Sequence, residues 1–144
     1  MRIVIERYYG DNFITMSRLS SGDFVCEARE VAFKDYDKVF DGCSKYCLPV
    51  GVFRCNLRST PLSPMTISIA DAAGHKGCKI GWNDAVPCVL NMVLLGMCDD
   101  DSGRLVRQRE TFKEFEALIR DAWVRGESFE VEVRNAIEME TNID

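Results

Sequence analysis

A chain of 144 residues is long enough for one domain that buries roughly 70% of the surface its unfolded form exposes, and it does not require a second. Hydrophobic residues make up 47% and charged ones 28%, the balance of an ordinary globular chain rather than of a disordered or membrane-embedded one. A formal charge of -5 supplies no basic field for phosphate backbones, so DNA and RNA are not expected partners.

The opening, MRIVIERYYG, has no positive segment followed by a long apolar one, and no run in the chain reaches the roughly 18 apolar residues of a spanning helix. A cytoplasmic location away from membranes is therefore expected. Arg2 to Tyr9 sets Ile3 and Ile5 against Arg2 and Glu6, the alternation of a strand with one dry face. Gly10-Asp11-Asn12 turns the chain, Phe13 to Leu19 returns, and Ser20 to Asp23 turns it again into a strand from Phe24 to Phe33. These three strands read as a meander. In the third, Phe24, Cys26 and Ala28 share one face, with Val25, Glu27 and Arg29 on the other.

Lys34 to Tyr46 loses periodicity and reads as a loop tacked down by Tyr36, Val39 and Phe40. Leu48-Pro49-Val50-Gly51 leads into a strand from Val52 to Arg58, and Pro61 and Pro64 interrupt it before a further strand, Met65 to Ala70. After a turn from Ala72 to Gly77, Cys78 to Trp82 is a short strand. The densest apolar run follows, Val86 to Met97, broken only by Pro87 and Asn91. Its Val89, Leu90, Val93, Leu94 and Leu95 predict an element covered on both faces, the centre of the core.

Asp99 to Gly103 closes that run and Arg104 to Arg107 is a short strand. Phe112, Phe115, Leu118, Ile119, Ala122 and Trp123 then recur at three- and four-residue steps, which predicts one amphipathic helix whose apolar stripe covers a sheet. Thr111 with Glu114 fits a capping box, a start nearer Gln108 is equally compatible, and Gly126 suits a left-handed cap. Phe129, Val131 and Val133 alternate with charged residues as a final strand, ahead of a polar, frayed tail from about 138 to 144.

Few residues invite chemistry. The seven cysteines are odd in number and spread through apolar segments, which points to reduced, buried thiols. Zinc would require close pairs; only Cys43 and Cys47 come near, and the single histidine, His75, is distant in sequence, so no metal is expected. Asp99-Asp100-Asp101 lacks the alternating ligand spacing of a calcium loop and reads as a solvated turn. His75, between two glycines, reads as a loop residue. A His75 and Cys78 pair is the weaker catalytic alternative, since a reactive thiol requires an exposed, electropositive setting of which Lys76 and Lys79 are the only sign.

Phe24-Val25-Cys26 with Glu30, Cys47 to Phe53, Ile80 to Asn83, Val93 to Gly96 and the helix from Arg109 to Ile119 together resemble a family of small phage and bacterial proteins over about residues 24 to 120. That family carries Cys-Ile-Pro-Ala-Gly-Thr-Tyr, Ile-His-x-Gly-Asn and Glu-Gly-Cys-Ile-Leu-x-Gly segments in the same order. Its His and Gly-Cys are similar to those of L,D-transpeptidases, where a histidine activates a thiolate that attacks a peptide carbonyl. Here Gly81 or a neighbour stands near the histidine position, Asn91-Met92 stands at Gly-Cys, and Asn83 alone matches. The resemblance thus implies a scaffold without that catalytic pair.

The expected fold is a single α+β domain over 1-144: a mostly antiparallel sheet or partly closed barrel of about eight strands with one amphipathic helix packed on it. The expected function is a non-enzymatic structural or accessory protein of phage or mobile-element type, acting through contacts with a protein partner or with itself and needing no cofactor. One alternative is a cysteine-dependent, peptidoglycan-acting enzyme. Another is a small-molecule or peptide-binding module, using Trp82 and Asn83 or the tyrosines Tyr8, Tyr9, Tyr36 and Tyr46.

Overall fold

The computed structural model describes residues 1-33, 47-60, 63-70 and 78-136. The expected loop from Lys34 to Tyr46, the turn that carries His75, and the tail from 138 lie outside the described residues, as do Cys43, Tyr36 and Tyr46.

The meander is present as β1 (Arg2–Gly10), β2 (Ile14–Ser21) and β3 (Phe24–Val31), all antiparallel. They are followed by β4 (Gly51–Thr60), β5 (Ser63–Ile69), β6 (Lys79–Gly81), β7 (Met92–Cys98), β8 (Leu105–Val106), the helix α1 (Gln108–Val124) and β9 (Glu130–Asn135). The strand order β3-β2-β1-β9-β4-β5-β6-β7 returns on itself because β7 also pairs with β3, so eight strands form a closed barrel, with β8 added on β7. Six of the eight junctions are antiparallel, while β1 with β9 and β6 with β7 are parallel. Among the described residues, closure leaves no long free sheet edge to template aggregation.

Register shows what fills the barrel. Ile5 faces Leu19, Leu19 faces Cys26, Ala28 faces Leu95, and Ile67 faces Ile80, and all of these are buried in one cluster with Ile3, Val93, Val131 and Val133. The helix stoppers one end. Phe112, Phe115, Ile119 and Ala122 enter the same cluster, and the Phe115 ring lies 5.6 Å from that of Phe24, the first residue of β3. Burying the three larger of these side chains contributes roughly 5-9 kcal/mol before conformational entropy is subtracted.

The helix begins at Gln108, so of the two starts compatible with the sequence the earlier one forms. Arg107 is the N-cap in a left-handed conformation without a side-chain cap, and Thr111 spends its hydroxyl on the Arg107 carbonyl at 2.7 Å instead of building a capping box. The C-terminus ends on Gly126, φ 83°, where Gly126 N–H donates to Trp123 O and Glu127 N–H to Ala122 O, satisfying two orphan carbonyls. Trp123 departs from the expected stripe: at 41% exposure it sits beyond the barrel mouth that buries Phe115 and Ile119.

The apolar run from Val86 to Met97 is not one covered element. Asn91 adopts φ 58°, a left-handed turn that Asn tolerates, and Pro87 has no N–H to offer a ladder, so only Met92–Cys98 is strand and Val86 and Leu90 are exposed. Double-sided burial does hold for its centre. Val93 and Leu95 point into the barrel, whereas Leu94 lies on the outer face in a row with Arg29 and Met16, and all three are buried. A second layer, made by residues 84-87 and 103-108, lies against that row. Gly96 permits this close approach: a Cβ there would stand 2.7 Å from the Val106 carbonyl oxygen. Among the described residues no helix is long and apolar enough to cross a membrane.

Candidate functional site

Cys78 precedes β6, with its carbonyl accepting the Ile69 N–H at 2.8 Å, and its thiol is buried at the barrel end opposite the helix. Burial, with the Glu30 carboxylate adding to it, pushes this thiol up to about 12. On that value a thiolate at pH 7 is present on the order of once in 10⁵ molecules, too rarely for a working nucleophile. Burial also raises Cys26 and Cys55 to about 12. Cys88, only partly covered, is raised by desolvation against an opposing pull from Arg29. His75 lies outside the described residues, so of the weaker His75 and Cys78 alternative only the Cys78 thiol is placed, and it is buried.

The same barrel end holds two charges that alternation along the strands foreshadows but does not interpret. Arg7 continues the dry face of Ile3 and Ile5, and Glu30 continues that of Cys26 and Ala28, so two charged residues point into the barrel with 1% and 3% exposure. Arg7 Nη2 donates to Glu30 Oε1 at 3.1 Å and to Oε2 at 3.3 Å, and the Leu48 N–H donates to Glu30 Oε2 at 2.8 Å. Arg7 Nε and the facing Ser17 hydroxyl are buried without partners. A pair this enclosed serves to tie the Cys47–Val50 segment across the barrel mouth, since losing either charge would strand the other away from water.

Trp82 lies at the helix end. Antiparallel register sets Ile67 opposite Ile80, so a longer β6 would place residue 82 opposite Met65. Instead β6 stops after Gly81, and the Met65 N–H that faces the gap donates to Glu116 Oε2 of the helix at 3.0 Å. The missing strand length leaves a groove of about 260 Å³ walled by Met65, Ile80, Trp82, Met92 and Phe112. Trp82 is 37% exposed, and the Arg109 guanidinium carbon stands 5.9 Å from its ring centroid, a cation–π contact.

Asn83, the other expected binding residue, is used internally. Its N–H donates to Gln108 Oε1 at 2.9 Å and its Oδ1 accepts from the Ala85 N–H at 3.0 Å, pinning the chain to the start of the helix. The groove continues through Thr66 and Lys79 onto the outer face of β4, β5 and β6, a shallow polar surface with Asn56, Arg58 and Ser68. Among the described residues neither Arg58 nor Lys79 forms an ion pair. Alternation along β5 predicts that Thr66 and Ser68 face outward, but nothing local in the sequence signals that Arg58 and Lys79 meet beside them.

Tyr8 and Tyr9 do not converge on the groove. Tyr8 donates its hydroxyl to Glu27 Oε2 at 2.7 Å and Tyr9 to Asp11 Oδ2 at 2.7 Å, each on its own stretch of the meander. No group of three or more His, Cys, Asp or Glu residues suited to a metal ion occurs among the described residues. No family model matches the chain, and no curated protein or solved structure shows significant similarity to it.

Proposed function

We propose that this chain is a non-enzymatic accessory protein of phage or mobile-element type that acts through protein contacts, and that the groove beside Trp82 makes one of them. The observation that carries this reading is the partly exposed Trp82 over an apolar trough edged by Lys79, with Arg58 on the adjoining polar face, neither of them in an ion pair among the described residues. Tryptophan and arginine are the side chains from which contact hot spots are most often built. Positive rim charges on a chain of net charge -5 select an acidic occupant: an extended partner segment whose carboxylates meet Lys79 and Arg58 while one apolar side chain enters the trough. The resemblance to small phage and bacterial proteins supports the accessory role. We place the protein in the cytoplasm, where its cysteines stay reduced.

The test uses synthetic peptides with Asp and Glu around a single Leu or Phe, against counterparts with Asn and Gln, read by Trp82 emission in a Trp123→Phe background. Acidic peptides should bind, and Lys79→Glu should weaken them by about tenfold. Equal binding of acidic and neutral peptides, or none, refutes the reading. Rapid modification of Cys78 by an electrophile at pH 7 would support a thiol enzyme instead.

A further inference from the structure

Arg29 lies on the outer face of β3, opposite Met16 on β2 and Leu94 on β7, and it is only 6% exposed. An arginine covered to that extent is normally paired, because a guanidinium carries its charge at every accessible pH and its desolvation costs several kcal/mol. Here no carboxylate pairs with it among the described residues. Nε donates to the soft Met16 Sδ at 3.0 Å and Nη2 to the Gly103 carbonyl at 2.7 Å. Among the described residues Nη1 makes no hydrogen bond, and the guanidinium borders an opening in the outer layer.

That opening is a pocket of about 120 Å³ between the barrel wall and the outer layer, lined by Arg29 with Arg104, Gln108, Asp84 and Pro87. Arg104 also lacks an ion pair among the described residues. Gln108 is the first residue of α1, whose N-cap makes no side-chain hydrogen bond, so the partial positive charge of the helix start adds to the two guanidiniums. Among the lining side chains, two arginines against Asp84 leave one net positive charge, with Asp99 close enough to Arg104 to feel its charge. At roughly 30 Å³ per water, the space holds about four waters, which suits one small charged group rather than a drug-sized ligand.

We propose that the pocket walled by Arg29, Arg104 and Gln108 binds a single oxyanionic group, a carboxylate or a phosphate. The group accepts from Arg29 Nη1 at the back and from Arg104 at the mouth, and the Asp84 carboxylate, which lines the same space, opposes its negative charge. It supplies the counter-charge that Arg29 lacks. Its source is a free small anion or a carboxylate carried by a protein chain, which the chemistry of the pocket does not distinguish.

The experiment follows the Arg29 Nε–H resonance and the melting temperature while acetate, inorganic phosphate, or a short peptide with a free C-terminal carboxylate is added at constant ionic strength. Chloride and the amidated peptide serve as controls. A saturable shift with any of the three ligands and not with its control supports the site, and the ligand that saturates at lowest concentration identifies the source. Arg104→Gln, an exposed change that leaves the fold intact, should weaken binding about tenfold, and Asp84→Asn should tighten it severalfold. Shifts indistinguishable from those with chloride, or an Arg104→Gln protein that binds as the parent does, overturn the proposal. Arg29→Lys keeps the charge but loses the fork, and should bind more weakly than the parent while melting within a few degrees of it.

Discussion

Replacing Glu30 by Gln keeps nearly the same volume and still offers the Leu48 N–H an acceptor, so it isolates the charge. In the parent protein the carboxylate faces Arg7 at 3.1 and 3.3 Å inside the barrel, with both residues almost wholly buried. Removing one member of such a pair leaves an uncompensated buried charge, a loss of about 3-5 kcal/mol. Arg7 already has an unpartnered Nε, and the facing Ser17 hydroxyl, itself unpartnered, is too short a resource to replace a carboxylate. For a domain of 144 residues this corresponds to a fall in melting temperature of about 10-20 °C. Urea denaturation of Glu30→Gln, Arg7→Met and the double variant measures it. The double variant should be more stable than the summed single losses predict, by at least about 1.5 kcal/mol, because no isolated charge remains in it. If Glu30→Gln costs under about 1 kcal/mol, or the two losses add within about 0.5 kcal/mol, the pair does not hold this end of the barrel and the reasoning fails.

The helix stripe predicts contrast within one element: Phe115→Ala should cost about 3-5 kcal/mol in chemical denaturation, and Trp123→Ala under about 1 kcal/mol, since only the first ring is inside the barrel cluster. Gly126→Ala should lower stability by about 1 kcal/mol, seen as an earlier thermal midpoint, because its φ of 83° strains any side chain. Cys26, Cys55 and Cys78, raised by burial from 9.0 to about 12, hold protons that the unfolded chain releases. Their contribution is therefore complete below pH 9 and declines as the pH rises towards 12, so stability should fall over that window and not on the acid side of it. Cys-to-Ala replacement at one of these positions should flatten the alkaline fall measured by pH-dependent melting; an unchanged slope would count against the assignment.

How the sequence and the fold divide the work is visible at particular residues. Period-two alternation in Arg2 to Tyr9 and in Phe129 to Val133, and the three-and-four spacing from Phe112 to Ala122, are local properties, and they already specify a β-rich α+β domain with one helix. Gly126 as the helix stop was legible for the same reason, since a left-handed cap is a property of one residue and its turn. Burial of Cys26, Cys47, Cys55 and Cys78 followed from cysteines set within apolar segments, whereas Cys88 and Cys98, also expected inside, are only partly buried.

A barrel of about eight strands was one of the two expected forms, but the pairings that close it were not legible, because they join residues far apart: β1 with β9 in parallel and β3 with β7. Only tertiary structure decided that Arg7 and Glu30, each an oddity on a dry face, satisfy one another inside the barrel. It also decided that Arg29, expected on a face with Val25 and Glu27, is covered by an outer layer while Val25 stays exposed. Trp82 gained its groove because β6 ends one position short of the residue that would face Met65, a consequence of how three strands and a helix share one barrel end. Amphipathic periodicity encodes which face of an element is dry; it does not encode which other element dries it, and the sites in this protein arise at those meetings.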